Sequence, residues 1–165
     1  SSKNKTYIMK HKNFLIVLLL ISAGFFSTVH AQAYRNAFGV RLGYDNGLTL
    51  KHFASPSSAF EGILSAPPRY FQLTGLYEYQ QPFQGAPGLD WFVGFGAHLG
   101  SVYYKDYKGS RAMIGGDLIA GLEYVFPSAP FNVTLDWKPT FNFTNDYNDY
   151  WFAGLALSLR YTFGR

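Results

Sequence analysis

Over most of the chain after residue 36, apolar and polar side chains alternate one by one. That period of two marks β-strands, whose successive side chains point to opposite faces. The clearest run is the last, Tyr150 to Phe163: Trp151, Ala153, Leu155, Leu157, Leu159, Tyr161 and Phe163 share one face, while Gly154, Ala156, Ser158, Arg160 and Thr162 share the other. Ala37 to Tyr44 sets Phe38, Val40, Leu42 and Tyr44 against Gly39, Arg41 and Gly43. Leu48 to Phe53 returns after Asp45-Asn46-Gly47, a tight hairpin signal because Asn and Gly tolerate positive φ. Ser55 to Ser58 turns the chain again. Phe60 to Ser65 is the least regular run, because Gly62 and Ile63 sit against the alternation of Phe60, Glu61 and Leu64. After Ala66-Pro67-Pro68 a long strand extends to the neighbourhood of Gln80. Pro82, Gly85, Pro87 and Gly88 then force a turn before Leu89 to Gly100, where Trp91, Val93, Phe95, Ala97 and Leu99 oppose Asp90, Gly94, Gly96 and His98. Beyond a polar loop from Ser101 to Arg111, Ile114 to Tyr124 and Phe131 to Lys138 complete the set, with Pro127 to Pro130 between them. A second long loop, Pro139 to Asp149, leads to the closing strand.

The pattern predicts eight antiparallel strands joined by hairpins, without a solenoid or propeller repeat. An even-stranded meander can close on itself, which satisfies every backbone group and leaves no exposed edge. The solvent is decided by which face lies inside. The polar face carries Arg41, Lys51, Glu61, Glu78, Asp90, His98, Asp117, Glu123, Asp136, Lys138 and Arg160 among many glycines. As a water-facing surface it would be oddly rich in Gly and poor in Lys. As the lining of a narrow eight-stranded barrel it makes sense, since small residues leave room there for mutually paired charges. The other face is aliphatic with aromatic ends, the order expected of strands crossing a bilayer between two aromatic girdles. The reading is an all-β, eight-stranded antiparallel up-and-down transmembrane β-barrel, multi-pass in the cell outer membrane, surrounded by lipid and lipopolysaccharide.

A closing strand that ends on Tyr161 and Phe163 resembles the C-terminal assembly signal of outer-membrane β-barrels of Gram-negative bacteria, with Gly164 and Arg165 following where that family usually stops. In architecture, the chain from residue 32 onward resembles the small eight-stranded barrels of the OmpA and OmpX kind. The resemblance implies recognition by the barrel-assembly machinery and an N-terminus in the periplasm. It also places the loops at Asp45, Pro67, Tyr104 and Asn145 on the outside of the cell, and it carries no activity with it.

Met9-Lys10-His11-Lys12, the apolar run Phe14 to Phe26 and the small residues Val29 and Ala31 read as a signal peptide cleaved before Gln32. The apolar run is shorter than the ~20 residues of a spanning helix. Residues 1–31 are therefore an upstream extension and leader, and residues 32–165 are the barrel. Of the net charge of +4, Lys3, Lys5, Lys10 and Lys12 account for all, and the rest of the chain is balanced. No basic field remains for nucleic acid. Cysteine is absent, which excludes disulfides, thiolate metal sites and a lipid-modified N-terminal Cys. Charged residues make up 15% and aromatic residues 19% of the chain. Ordinary soluble domains are about 25% charged, so something other than water faces much of this surface.

The candidate chemistry is sparse. His98 and Asp117 should be cross-strand neighbours pointing into the lumen. A His oriented by a carboxylate is half of a hydrolytic triad, and Ser101 or Ser110 could supply a nucleophile. A structural ion pair is the plainer reading. Lys51 and Glu61 oppose each other and should neutralise one another. Glu78 facing Asp90 calls for a cation such as Arg160, or for one carboxyl to keep its proton. Asn145 to Asp149 offers oxygen ligands without the glycine and distal glutamate of an EF-hand, so it reads as a solvated loop. Tyr103, Tyr104 and Tyr107, with Lys105 and Lys108, fit either a sugar or lipopolysaccharide contact or an interfacial aromatic belt. No cofactor and no metal are expected. The function expected is a structural or partner-binding component with a filled, charged lumen, another outer-membrane protein being one candidate partner. Two alternatives stay open: an outer-leaflet enzyme of the lipid A deacylase or acyltransferase type using His98 and Asp117, and a small-solute channel.

Overall fold

The computed structural model describes residues 33–66, 70–103, 110–144 and 154–164. The leader, its cleavage point and the loop segments 67–69, 104–109 and 145–153 lie outside the described residues. Within them the chain forms strands and turns, without a helix. The strands are β1 (Asn36–Gly43), β2 (Gly47–Ser55), β3 (Ser58–Ser65), β4 (Tyr70–Pro82), β5 (Leu89–Tyr103), β6 (Ser110–Val125), β7 (Phe131–Trp137), β8 (Thr140–Asn142) and β9 (Leu155–Phe163).

β7 and β8 are one stave. Ala120 opposite Trp137 and Asp117 opposite Thr140 keep a single register on β6. Pro139 has no N–H to donate and so interrupts the ladder, while its carbonyl still accepts from Leu118 N at 3.0 Å. The result is eight staves, each antiparallel to its neighbours. β9 lies between β7 and β1, pairing Tyr161 with Phe131 on one side and with Phe38 on the other. The seam extends past the strand ends, through Arg35 N to Gly164 O at 2.7 Å and Tyr44 N to Leu155 O at 3.1 Å. The sheet is therefore a closed up-and-down barrel, as the alternation predicts.

The facing also follows the pattern. Leu42, Phe95, Leu155 and Leu157 stand outward and exposed, whereas Arg41, Lys51, Glu78 and Arg160 are fully buried. Four local expectations are corrected. The loop expected from Pro139 to Asp149 starts later, because Thr140–Asn142 still pairs with β6 after the Pro139 interruption. β3 is regular, pairing residue for residue with β4 and with β2 as far as a bulge between Phe53 and Ser55, and Ile63 points inward to join Leu76, Phe92 and Ile119 in an apolar cluster. The lumen is not uniformly polar, and that is why Ile63 broke the pattern. The first hairpin does not use positive φ at Asn46 or Gly47. Its positive-φ residue is Gly43, at 145°, and the Asn46 side chain accepts a hydrogen bond from Gly43 N at 2.8 Å. The loop expected from Ser101 to Arg111 is shorter, because β5 and β6 stay paired as far as Tyr103 opposite Ser110.

The barrel has two distinguishable ends. The terminal end holds Tyr34, Gly164 and the tight turns at Pro56, Gly85 and Pro127, and the far end holds the turn at Asp45.

Placing Leu157→Arg on the outward face should cost ~2–4 kcal/mol for the barrel folded in lipid vesicles. Ser158→Ala should be nearly neutral, since Ser158 Oγ is buried without a hydrogen-bond partner. Urea titrations of both variants check the assignment, and equal mild effects would contradict it.

Candidate functional site: the charged lumen

The alternation that sends leucines outward sends charges inward from every stave, and in so narrow a barrel they meet. Among the described residues, eleven acidic, basic or histidine side chains are buried: Arg41, Asp45, Lys51, Glu61, Glu78, His98, Asp117, Glu123, Asp136, Lys138 and Arg160. Asp90 is half-buried. Glycines on the inner face make the room. A Cβ on Gly115 would stand 2.5 Å from His98 Cε1, and one on Gly121 would stand 2.6 Å from Phe92 Cζ.

The charges divide into two groups along the barrel. In the group toward the far end, Arg41 donates from Nε to Asp45 at 2.7 Å and grips Asp136 with both terminal nitrogens at 2.6 and 2.7 Å. Lys138 Nζ lies 3.1 Å from Asp117 and 3.2 Å from Asp45, and it donates to Thr140 Oγ1 at 3.3 Å. His98 completes this group, with Nδ1 2.7 Å from Asp117 Oδ2 and Nε2 2.8 Å from Asn142 Oδ1. Toward the terminal end, Lys51 Nζ lies 2.8 Å from Glu78 Oε2 and 3.4 Å from Glu123 Oε2, and 4.6 Å from the centre of the Phe92 ring. Arg160 binds Glu61 and Thr134, reaches Glu123 at 3.6 Å, and donates to Thr49 at 3.2 Å. Gln80 bridges the carboxylates, donating to Asp90 at 2.8 Å and to Glu123 at 2.9 Å.

Two expected pairings rearrange. Lys51 stands opposite Glu61 in register, yet its ammonium goes to Glu78 and Glu123, while Arg160 takes Glu61. Side chains directly opposite on one face run side by side, so long ones find partners across the lumen instead. Glu78 and Asp90 are not opposed either: Glu78 faces Gly94, Asp90 faces Pro82, and the cation beside Glu78 is Lys51 rather than Arg160.

His98 and Asp117 do meet, but the remaining parts of a triad are not assembled around them. Both ring nitrogens of His98 already face oxygens. Ser101 lies on β5 with the opposite facing to His98, and the Ser110 side chain lies outside the described ones. Sequence reasoning also missed several members. Thr49, Gln80, Asn132 and Thr134 sit at inward positions and could have been found by parity alone. Asp45 and Tyr34 could not, because both lie outside the strands and turn into the barrel.

Among solved structures, the chain is similar to the crystal structure of the N-terminal β-barrel domain of Pseudomonas aeruginosa OprF, with a TM-score of 0.57 and 16% sequence identity, covering 76% of this chain and 95% of that one. The fold is that of the OmpA-like eight-stranded barrel. No protein-family profile and no curated protein matches the sequence.

Removing one partner of a buried ion pair leaves the other uncompensated. Arg160→Met should therefore cost ~3–5 kcal/mol, and adding Glu61→Gln should recover a large part of it. Unfolding titrations of the two single variants and the double variant check this, and additive losses would show that the two groups do not act as a pair.

Proposed function

We propose that this protein is an integral outer-membrane barrel acting as a structural or partner-binding component of the envelope, with its lumen serving as a packed core. The observation that carries the reading is the combination of an outward apolar belt with an interior closed by interlocked charges. The outward face carries exposed Phe38, Leu42, Phe95, Leu118, Leu155 and Tyr161, a surface suited to hydrocarbon and costly in water. Its aromatic residues adjoin one another near the terminal end, with Phe131 packed edge-on against Tyr161 at 5.6 Å and Tyr161 stacked on Phe163 at 6.3 Å. That is the interfacial girdle such a barrel needs, and it coincides with the segment that resembles an assembly signal.

Inside, guanidinium, ammonium and carboxylate groups take the space that a solute would need, which supports the packed-core reading over a small-solute channel. The His98 arrangement favours structure over catalysis. A general base must reach the proton that it removes, and Nε2 is already engaged with Asn142. Barrel-assembly machinery and lipopolysaccharide are the surroundings this reading implies, and a second outer-membrane protein is the class of partner it favours.

Two measurements separate this function from its alternatives. In planar bilayers the purified protein should show no stable large conductance, whereas steady ion currents at neutral pH would promote the channel. In cells lacking the native gene, a His98→Asn protein should restore envelope integrity and leave lipid A unchanged by mass spectrometry. Loss of one acyl-chain species in both the deletion and the His98→Asn strain would establish an enzyme instead.

A further inference from the structure

The two ends of the lumen are closed differently. At the far end the charged groups themselves fill the space, with Arg41, Lys138, Asp45 and Asp117 linked through 2.7–3.2 Å contacts. At the terminal end the last layer is apolar and includes one residue that belongs to no strand. Tyr34 precedes β1, yet it is 3% exposed and packs with Ala37, Phe53 and Ala59, its ring edge-on to Phe53 at 5.2 Å. Its hydroxyl donates to Glu123 Oε1 at 2.6 Å. The backbone beside it is fixed on both sides, Arg35 N donating to Gly164 O at 2.7 Å and Arg35 O accepting from Phe53 N at 2.9 Å. Tyr34 is thus anchored at its base by the barrel rim and at its tip by a lumen carboxylate.

The layer behind it is the one with most to lose from water. Glu123 sits between Lys51 and Arg160, and Lys51 also serves Glu78, with its ammonium over the Phe92 ring. Those contacts are worth most in a dry, low-dielectric setting and are screened once water enters. Among the described residues, buried carboxylates outnumber buried Lys and Arg six to four, so an opened mouth would draw small cations inward.

We propose that Tyr34 is the stopper of the terminal mouth, a side chain from the segment ahead of β1 that shuts the carboxylate-rich lumen from water and small cations. Its ring occupies the opening, and its bond to Glu123 holds the ring in place. Rotation of the Tyr34 side chain away from Glu123, with the Arg35 backbone bonds and the sheet kept, would open the mouth.

The chain has no cysteine, so an introduced thiol is a unique reporter. Ala59→Cys places one in the layer beside Tyr34, and Ser65→Cys places a control thiol on the same strand toward the far end, both at fully buried inward positions. The two are compared in detergent micelles, where both mouths meet the solvent, using a small cationic methanethiosulfonate reagent. Tyr34→Ala should raise the labelling rate of the Ala59→Cys thiol by on the order of 100-fold. Tyr34→Phe keeps the ring but loses a hydrogen bond to a charged group, and should raise that rate by on the order of tenfold. The Ser65→Cys thiol should change little in either background. Equal rates for the Ala59→Cys thiol with Tyr, Phe or Ala at position 34 would overturn the proposal. Parallel acceleration of both thiols would overturn it as well, because that reports general loosening. If the alanine variant does not fold, the native and Tyr34→Phe rates decide alone, equality again overturning it.

Discussion

The seam between β1 and β9 is the interaction on which the rest of the structure depends. A sheet of eight staves left open would present two rows of unpaired backbone groups, and in hydrocarbon each such group costs several kcal/mol. Closing the seam removes both edges at once. It also fixes the interior width, because an eight-stranded barrel has room inside for side chains and little else. Everything inside must then fit that width, and the sequence answers with large charged groups from some staves and glycines from the facing ones. Gly115 beneath the His98 ring and Gly121 beneath Phe92 are the clearest cases, where any Cβ would collide with the side chain it faces.

Filling a core with ions inverts the usual economy of a soluble domain. Taking a guanidinium or carboxylate out of water costs several kcal/mol, and mutual attraction offsets this only when geometry is close and the remaining lone pairs are met. Arg41 achieves it through a bidentate grip on Asp136 and a third bond to Asp45, and Arg160 through Glu61, Thr134 and Thr49. Satisfaction is incomplete elsewhere: the Asn132 amide and the Ser158 and Ser65 hydroxyls are buried without a protein partner. Polar sites of that kind are where internal water is held. The lumen is thus specific in its pairing, and its stability rests on the closed sheet as much as on the charges.

The sequence carried the fold in its alternation, because a period of two with one apolar face leaves few choices of register and facing. Leu155 to Phe163 and Leu89 to Leu99 could be assigned inside and outside from parity alone. Parity also named the lumen residues, from Arg41 to Arg160. It could not name their partners. Lys51 and Glu61 are opposite in register, but which ammonium meets which carboxylate depends on how far each side chain leans across the barrel, and nothing local encodes that. Ile63 misled for a related reason: a lumen with an apolar layer puts a hydrophobic residue where a uniform rule expects a polar one. Tyr34 and Asp45 were invisible because they enter from outside the strands, where alternation says nothing.

The central claim is that the aliphatic face looks into hydrocarbon and the charged face into the barrel. Single spin labels at Leu155, Leu157, Leu159 and Tyr161, in protein folded into lipid vesicles, measure it directly through their collisions with dissolved oxygen and with a water-soluble nickel chelate. The account predicts strong oxygen and weak chelate relaxation at Leu157 and Leu159, with the chelate gaining toward Tyr161 as the strand nears the interface. Strong chelate relaxation along the whole row would place that face in water and contradict it.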